Sequence, residues 1–247
     1  MNINLKTTLL YLFICTIFCN CTTFTGEKIE KTFDIDNSYT ELQIENAINV
    51  IVSNEQDQIS VITTEKLIND VVIEKTDNKL RLYLKKNIHL YRSDIKIILP
   101  YNPNLQEIEL SGASNFQSEF TLKNEKIDIN LSGASDFQCD IEAKEIEIEL
   151  SGASDATLSG ETNTLSLKLS GASNIIKKIT NNHYSLICNQ CECDLSGSSD
   201  VYIHCNDNIN IINLSGASSL HYTGNAKITL NDGDNISGSS DIIHDTL

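Results

Sequence analysis

The 247-residue sequence predicts an all-β fold built as a solenoid, in coils of 19 to 26 residues. Three observations predict it: a hexapeptide that recurs seven times, a period-two alternation on both sides of it, and uniform apolar columns when the copies are aligned. The copies are LSGASN at 110–115, LSGASD at 131–136, LSGASD at 150–155, LSGASN at 169–174, LSGSSD at 195–200, LSGASS at 214–219 and ISGSSD at 236–241. Their spacings are 21, 19, 19, 26, 19 and 22 residues. Propeller blades need ~40 residues, and no helical periodicity is present for a helix-containing repeat.

Each copy follows an alternating run, such as Ile127-Asp128-Ile129-Asn130-Leu131 or Ile146-Glu147-Ile148-Glu149-Leu150. Period two with Ile and Leu on one side means a half-buried strand. The glycines Gly112, Gly133, Gly152, Gly171, Gly197, Gly216 and Gly238 stand at the corners, because glycine reaches backbone conformations closed to other residues. Alternation resumes after the corner, as in Val201, Ile203 and Cys205. One coil cannot bury its apolar side alone, so neighbours stack and share a core. At a strand spacing of ~4.8 Å, seven coils make a rod on the order of 30 Å. The expected columns are Leu110, Leu131, Leu150, Leu169, Leu195, Leu214 and Ile236 at the first motif position, and Ile108, Ile129, Ile148, Leu167, Cys193 and Ile212 two residues earlier. The last coil has Asp234 there, as a polar terminal repeat should.

Residues 33–103 lack the hexapeptide but carry alternating runs, including 42–45, 50–52, 59–62 and 80–84, read as about six strands of a β-rich segment. Both prolines, Pro100 and Pro103, mark the junction with the repeats at 104–247. Net charge is −16, and it divides unevenly. Residues 22–103 carry 10 basic and 13 acidic side chains, whereas residues 104–247 carry 7 and 21. A negative rod repels phosphate backbones, which excludes nucleic acid, and it gains nothing from anionic lipid. Charge-selected partners would be cations or basic surfaces.

Residues 1–20 combine Lys6 with an apolar run from Leu9 to Phe18, too short to span a bilayer and suited to an export signal. The segment resembles a lipoprotein signal, with Cys21 as the acylated residue and residues 21–32 as a tether. The residues before it, Phe18-Cys19-Asn20, depart from the usual Leu and small residues, and an ordinary cleaved signal is the alternative.

The repeated Ser-Gly-Ala/Ser-Ser, with Phe33-Asp34-Ile35, Leu80–Leu84, Leu99-Pro100 and the closing His221-Tyr222-Thr223-Gly224, resembles the auto-transporter adhesin head domain of the GIN type. The resemblance covers about residues 33–244. It implies one continuous head domain, a right-handed parallel β-helix-like fold and signal or lipoprotein leaders in the cell envelope. It supplies no activity, ligand, cofactor or catalytic residue. The common Asp or Asn after the motif departs from the glycine of many relatives.

Four features compete as chemical sites. Cys188, Cys191, Cys193 and Cys205 suggest metal, disulfide or core; paired CxxC units are missing, and Cys191 and Cys193 share the parity of Leu165 and Leu167. With Cys139 the five cysteines are odd in number, so one at least stays unpaired in a monomer. The column Asn115, Asp136, Asp155, Asn174, Asp200, Ser219, Asp241 reads as a calcium ladder or as turn chemistry, and turn chemistry is favoured because only Asp136 and Asp155 are acidic neighbours. Glu145, Glu147 and Glu149 form an outward stripe, read as solvated. The histidines 89, 183, 204, 221 and 244 match no metal spacing. No nucleophile elbow, phosphate loop or dinucleotide motif occurs. The reading is an exported, lipid-anchored binding or structural protein without catalysis, with no cofactor or metal expected. The alternatives are a carbohydrate-active β-helix enzyme or carbohydrate-binding module, and a self-associating envelope component. The absence of Trp, and arginines only at 81 and 92, weigh against the enzyme.

Overall fold

The computed structural model describes residues 26–85, 95–231 and 235–247. The leader, Cys21, His89, Arg92 and Asp234 lie outside the described residues. Among the described residues the elements are all strands, and no helix is long and apolar enough to cross a membrane.

The N-terminal segment holds seven strands: β1 (Lys28–Phe33), β2 (Glu41–Ile44), β3 (Asn49–Ser53), β4 (Ile59–Thr64), β5 (Val71–Thr76), β6 (Lys79–Leu84) and β7 (Lys96–Pro100). The repeats supply β8 (Glu107–Leu110), β9 (Asn115–Ser118), β10 (Leu122–Leu131), β11 (Asp136–Leu150), β12 (Asp155–Leu169) and β13 (Asn174–Ile175). They continue with β16 (Leu186–Leu195), β17 (Asp200–Leu214), β18 (Ser219–Thr223), β19 (Lys227–Leu230) and β20 (Asp241–His244). The short pair β14 (Ile179–Thr180) and β15 (His183–Tyr184) forms a separate antiparallel hairpin. It accounts for the one long spacing, since residues 176–185 bulge out of a coil that otherwise matches its neighbours.

Strands of successive repeats pair in parallel and in register. One line before the corners runs β6, β2, β8, β10, β11, β12, β16, β17, β19. The line after them runs β7, β3, β9, β11, β12, β13, β17, β18, β20. The sheet as a whole is mixed, however, because β1–β4, β4–β7 and β5–β6 pair antiparallel in the N-terminal segment. The cause of the β5–β6 hairpin is local. Asp77-Asn78 makes a two-residue turn with Asp77 at a φ of 50°, the backbone hand such a hairpin needs.

The N-terminal segment and the repeats share one sheet, since β2 and β3 lie directly against β8 and β9. Two expectations change. Lys28–Phe33 is strand, not tether, because it lies along the edge of β4. Ile212 leaves the core column: a register shift after Cys193 puts Ile211 opposite it, and half-buried Ile212 is the extra residue of a bulge.

Ile236 ends its column 39% exposed, and the rest of that column points inward as expected. Leu110, Leu131, Leu150, Leu169, Leu195 and Leu214 are each at most 2% exposed. Phe116 and Phe137 stack at 5.0 Å with planes 7° apart, and the smaller Ala156, Ile175, Val201 and Leu220 continue that column. Equivalent apolar residues touching strand after strand make one core from Tyr39 to Leu220.

Candidate functional site

The corners come first, because they set the shape of every outer face. Each motif glycine has φ between +77° and +83°. A Cβ on Gly152 would lie 2.4 Å from the Gly133 carbonyl oxygen, which instead accepts a 2.7 Å bond from the Ala153 amide. The fifth motif residue is a fully buried Ser whose hydroxyl donates to the carbonyl of the Ser three before it, at 2.8–3.0 Å from Ser114 to Ser218. The seven glycines are therefore packing and turn positions.

After the corner stands the polar column, and it forms a ladder of hydrogen bonds between coils. The Asn115 and Asn49 amides pair at 2.7 Å, Asn174 donates to Asp155 at 2.8 Å, and the Asn174 oxygen accepts from the Asp200 amide at 3.1 Å. Asp136 lies beside Asp155, and partial desolvation followed by that neighbouring charge raises its carboxyl pKa. Asn174 and Ser219 separate the carboxylates elsewhere, which suits stacked turns. A second amide ladder stands on another side of the coils: Asn206 donates to Asn189 at 3.1 Å, and Asn189 to Asn163 at 3.2 Å.

The stripe of Glu145, Glu147 and Glu149 is paired across coils. Lys126 on β10 reaches Glu145 at 3.4 Å and Glu147 at 3.0 Å, and Lys168 on β12 reaches Glu149 at 3.1 Å. These cations lie about one coil away in sequence, so a search along one strand misses them. Hydrogen bonds from Lys126 to Glu147 and Asp128 push its ammonium pKa up. Nearer the N-terminus, Lys79 bridges Glu41 at 3.2 Å and Glu109 at 3.6 Å, and Arg81 meets Glu45 at 3.0 Å. Glu107, opposite Glu41 and Asp128, has a raised pKa, mainly from burial and then from Glu109.

Where this face meets the corners, a groove of about 500 Å³ crosses five parallel strands, β2, β8, β10, β11 and β12. Gln43, Glu109, Asn130, Glu149 and Lys168 line one wall, and Ser111, Ser132, Ser151 and Ser170 line the other. It offers carboxylate, amide, hydroxyl and ammonium groups at a repeat set by the sheet, and its lining contains no aromatic side chain. Such a surface suits multi-point polar binding. Lys168 is tied to Glu149 by an ion pair, leaving no freely poised acid–base pair at that point.

Sequence reasoning missed an aromatic cluster at the other end. Tyr202 and His221 stack at 4.5 Å, Tyr184 meets Tyr202 edge-on at 5.4 Å, and His183 lies 4.9 Å from His204. Asp245 accepts from Tyr184 Oη and lies 3.1 Å from His221 Nδ1, while Lys177 stands over both tyrosine rings. Burial and then Asp245 push the Tyr184 phenol up, whereas Tyr184 and His221 bring Asp245 down against the pull of burial. The histidines look scattered in sequence because the register alone brings Tyr202 beside His221 and Tyr222 beside His244. The one readable signal was the long spacing, which flags the insertion bearing Tyr184.

All five described cysteines are buried, and no bridge joins them in this structure. Cys191 follows Leu165 and Cys193 follows Leu167 in the core columns, as their parity suggests. Among the described residues, no group of three or more His, Cys, Asp or Glu is arranged to hold a metal.

Residues 38–226 match the family model described as "Putative auto-transporter adhesin, head GIN domain". A putative adhesin from Bacteroides fragilis is similar in structure, with a TM-score of 0.70 at 18% identity, covering 89% of this chain and 96% of its own. A putative adhesin from Parabacteroides merdae gives 0.60 at 16%, covering 90% and 97%. A protein from Parabacteroides distasonis named as a putative lipid binding protein gives 0.63 at 18%, covering 90% and 98%. At these identities the likeness is one of fold. The curated proteins contain no match to the sequence.

Proposed function

The chain belongs to the putative auto-transporter adhesin family of the head GIN domain, and from that premise we propose that it is a cell-envelope binding protein with an adhesin-like or structural role and no catalytic one. In this reading the stacked parallel strands form a right-handed β-helix-like solenoid, held to the membrane by a lipid on Cys21. The observation that carries the binding role is the groove from Gln43 to Ser170. It repeats polar groups on a rigid sheet, so a repetitive ligand gains several weak contacts at once. Its excess of carboxylates favours a basic or cation-bearing partner surface.

The test is adhesion of cells displaying the full chain to immobilised glycans and to basic and neutral proteins. Glu109→Gln with Glu149→Gln should weaken capture of the preferred surface at least several-fold while leaving the melting temperature within a few degrees. Equal capture by the variant removes the groove from the proposal. Turnover of a polysaccharide by the wild type would favour the enzyme instead. Fatty-acid labelling of the wild type but not of Cys21→Ser is the expected result for the anchor.

A further inference from the structure

We propose that Cys188 and Cys205 form a disulfide that staples two neighbouring coils together. Of the five described cysteines, these two alone face each other in register, Cys188 on β16 opposite Cys205 on β17. Parallel neighbours stand ~4.8 Å apart, inside the 4.4–6.8 Å range of Cα separations that a disulfide spans. The other cysteines have apolar partners in register. Cys191 faces Leu165 and Ile209, Cys193 faces Leu167 and Ile211, and Cys139 faces Leu158. The Cys191 and Cys193 sulfurs do lie 3.4 Å apart. Two residues along an extended strand, however, are separated by ~6.6 Å, with side chains pointing the same way, so their Cβ atoms stay too far apart to bridge.

Local contacts agree with a bridge. Cys188 Sγ lies 3.5 Å from the carbonyl oxygen of His204, the residue before Cys205. Cys205 Sγ lies 3.4 Å from the carbonyl of Asn189, the residue after Cys188. Each sulfur therefore sits over the other's strand, and each residue is fully buried.

The position gives the staple a purpose. The sheet register slips just after Cys188, and the insertion at 176–185 has interrupted the coil immediately before. Here the stack is least regular, and the bridge closes a loop around the corner at 195–200.

The chemistry needs an oxidant, namely a disulfide such as oxidised glutathione or that of a thiol–disulfide oxidoreductase. The Cys188 thiolate attacks it and expels one thiolate, giving a mixed disulfide. The deprotonated Cys205 then attacks the Cys188 sulfur and expels the second. Two cysteine thiols lose two protons and two electrons, and the reagent's disulfide becomes two thiols. Because both sulfurs are buried once the coils stack, exchange takes place before β17 docks.

The inference rests on register and is independent of the proposed function. Its test is refolding of the full chain in a glutathione redox buffer, then alkylation and peptide mapping without reduction. The expected product links Cys188 to Cys205, with Cys139, Cys191 and Cys193 alkylated. Reductant should lower the melting temperature by about 10 °C in the wild type and leave Cys188→Ala/Cys205→Ala unmoved. All thiols alkylated, a link between other cysteines, or bound zinc that shields the thiols until chelation overturns the proposal. The wild-type map decides the matter even if the double variant fails to fold.

Discussion

At the scale of single residues, the seven corner glycines are the least replaceable positions. Their backbone conformation is left-handed, and at every one but Gly112 the space a side chain would take is occupied by the carbonyl of the preceding motif glycine. Gly152→Ala suffers both penalties at once: an unfavourable φ and a Cβ 2.4 Å from the Gly133 oxygen. The neighbouring coils on each side fix that carbonyl, so it has little room to retreat. We expect a loss of about 2–4 kcal/mol in urea unfolding. A variant as stable as the wild type would mean that the corners relax independently. By contrast, the exposed alanine next to each glycine has no such constraint, which is why Ala and Ser interchange there.

At the scale of elements, the repeated strands were legible because one face of each is buried and alternation records it. The same pattern was less informative before residue 104. There Ile44 and Val50 stand six residues apart, like Leu110 and Phe116, so β2 and β3 form a coil of the same layout with Asn46-Ala47 as its corner. Both of those residues take positive φ without glycine, at 65° and 61°, which hid the corner from a motif search. The bulge at Ile212 and the cross-coil pairing of Lys126 were hidden for a different reason: register is a relation between strands and leaves no mark within one. The columns make the strand faces testable. Leu150 is 2% exposed between Leu131 and Leu169, and Leu150→Asp buries a charge with no partner. It should cost more than about 4 kcal/mol. Glu149→Asp on the outward face of the same strand should change stability by less than about 1 kcal/mol, since its pair with Lys168 is half exposed. Similar losses from the two variants would overturn the assigned faces.

At the scale of the whole molecule, the two ends of the stack are unlike, and this gives the structure a direction. At the N-terminal end β6 is covered by β5 and β7 by β4, which in turn pairs with β1. At the other end, among the described residues, β19 pairs only with β17 and β20 only with β18. Leu230 is 54% exposed and Ile236 39%, whereas their column partners Ile211 and Leu214 are fully buried. Each interior coil is held by two interfaces and the last by one, and in such stacks stability is nearly the sum of neighbour terms. Local opening should therefore begin at β19 and β20 and leave the centre intact. Hydrogen exchange measured by mass spectrometry should show peptides from 227–231 and 241–247 exchanging at least tenfold faster than those from 127–131 and 146–150. If a second copy of the chain caps this edge, the difference should shrink as protein concentration rises. Uniform protection at every concentration would mean that the coils open together, and the nearest-neighbour account of this fold would then be wrong.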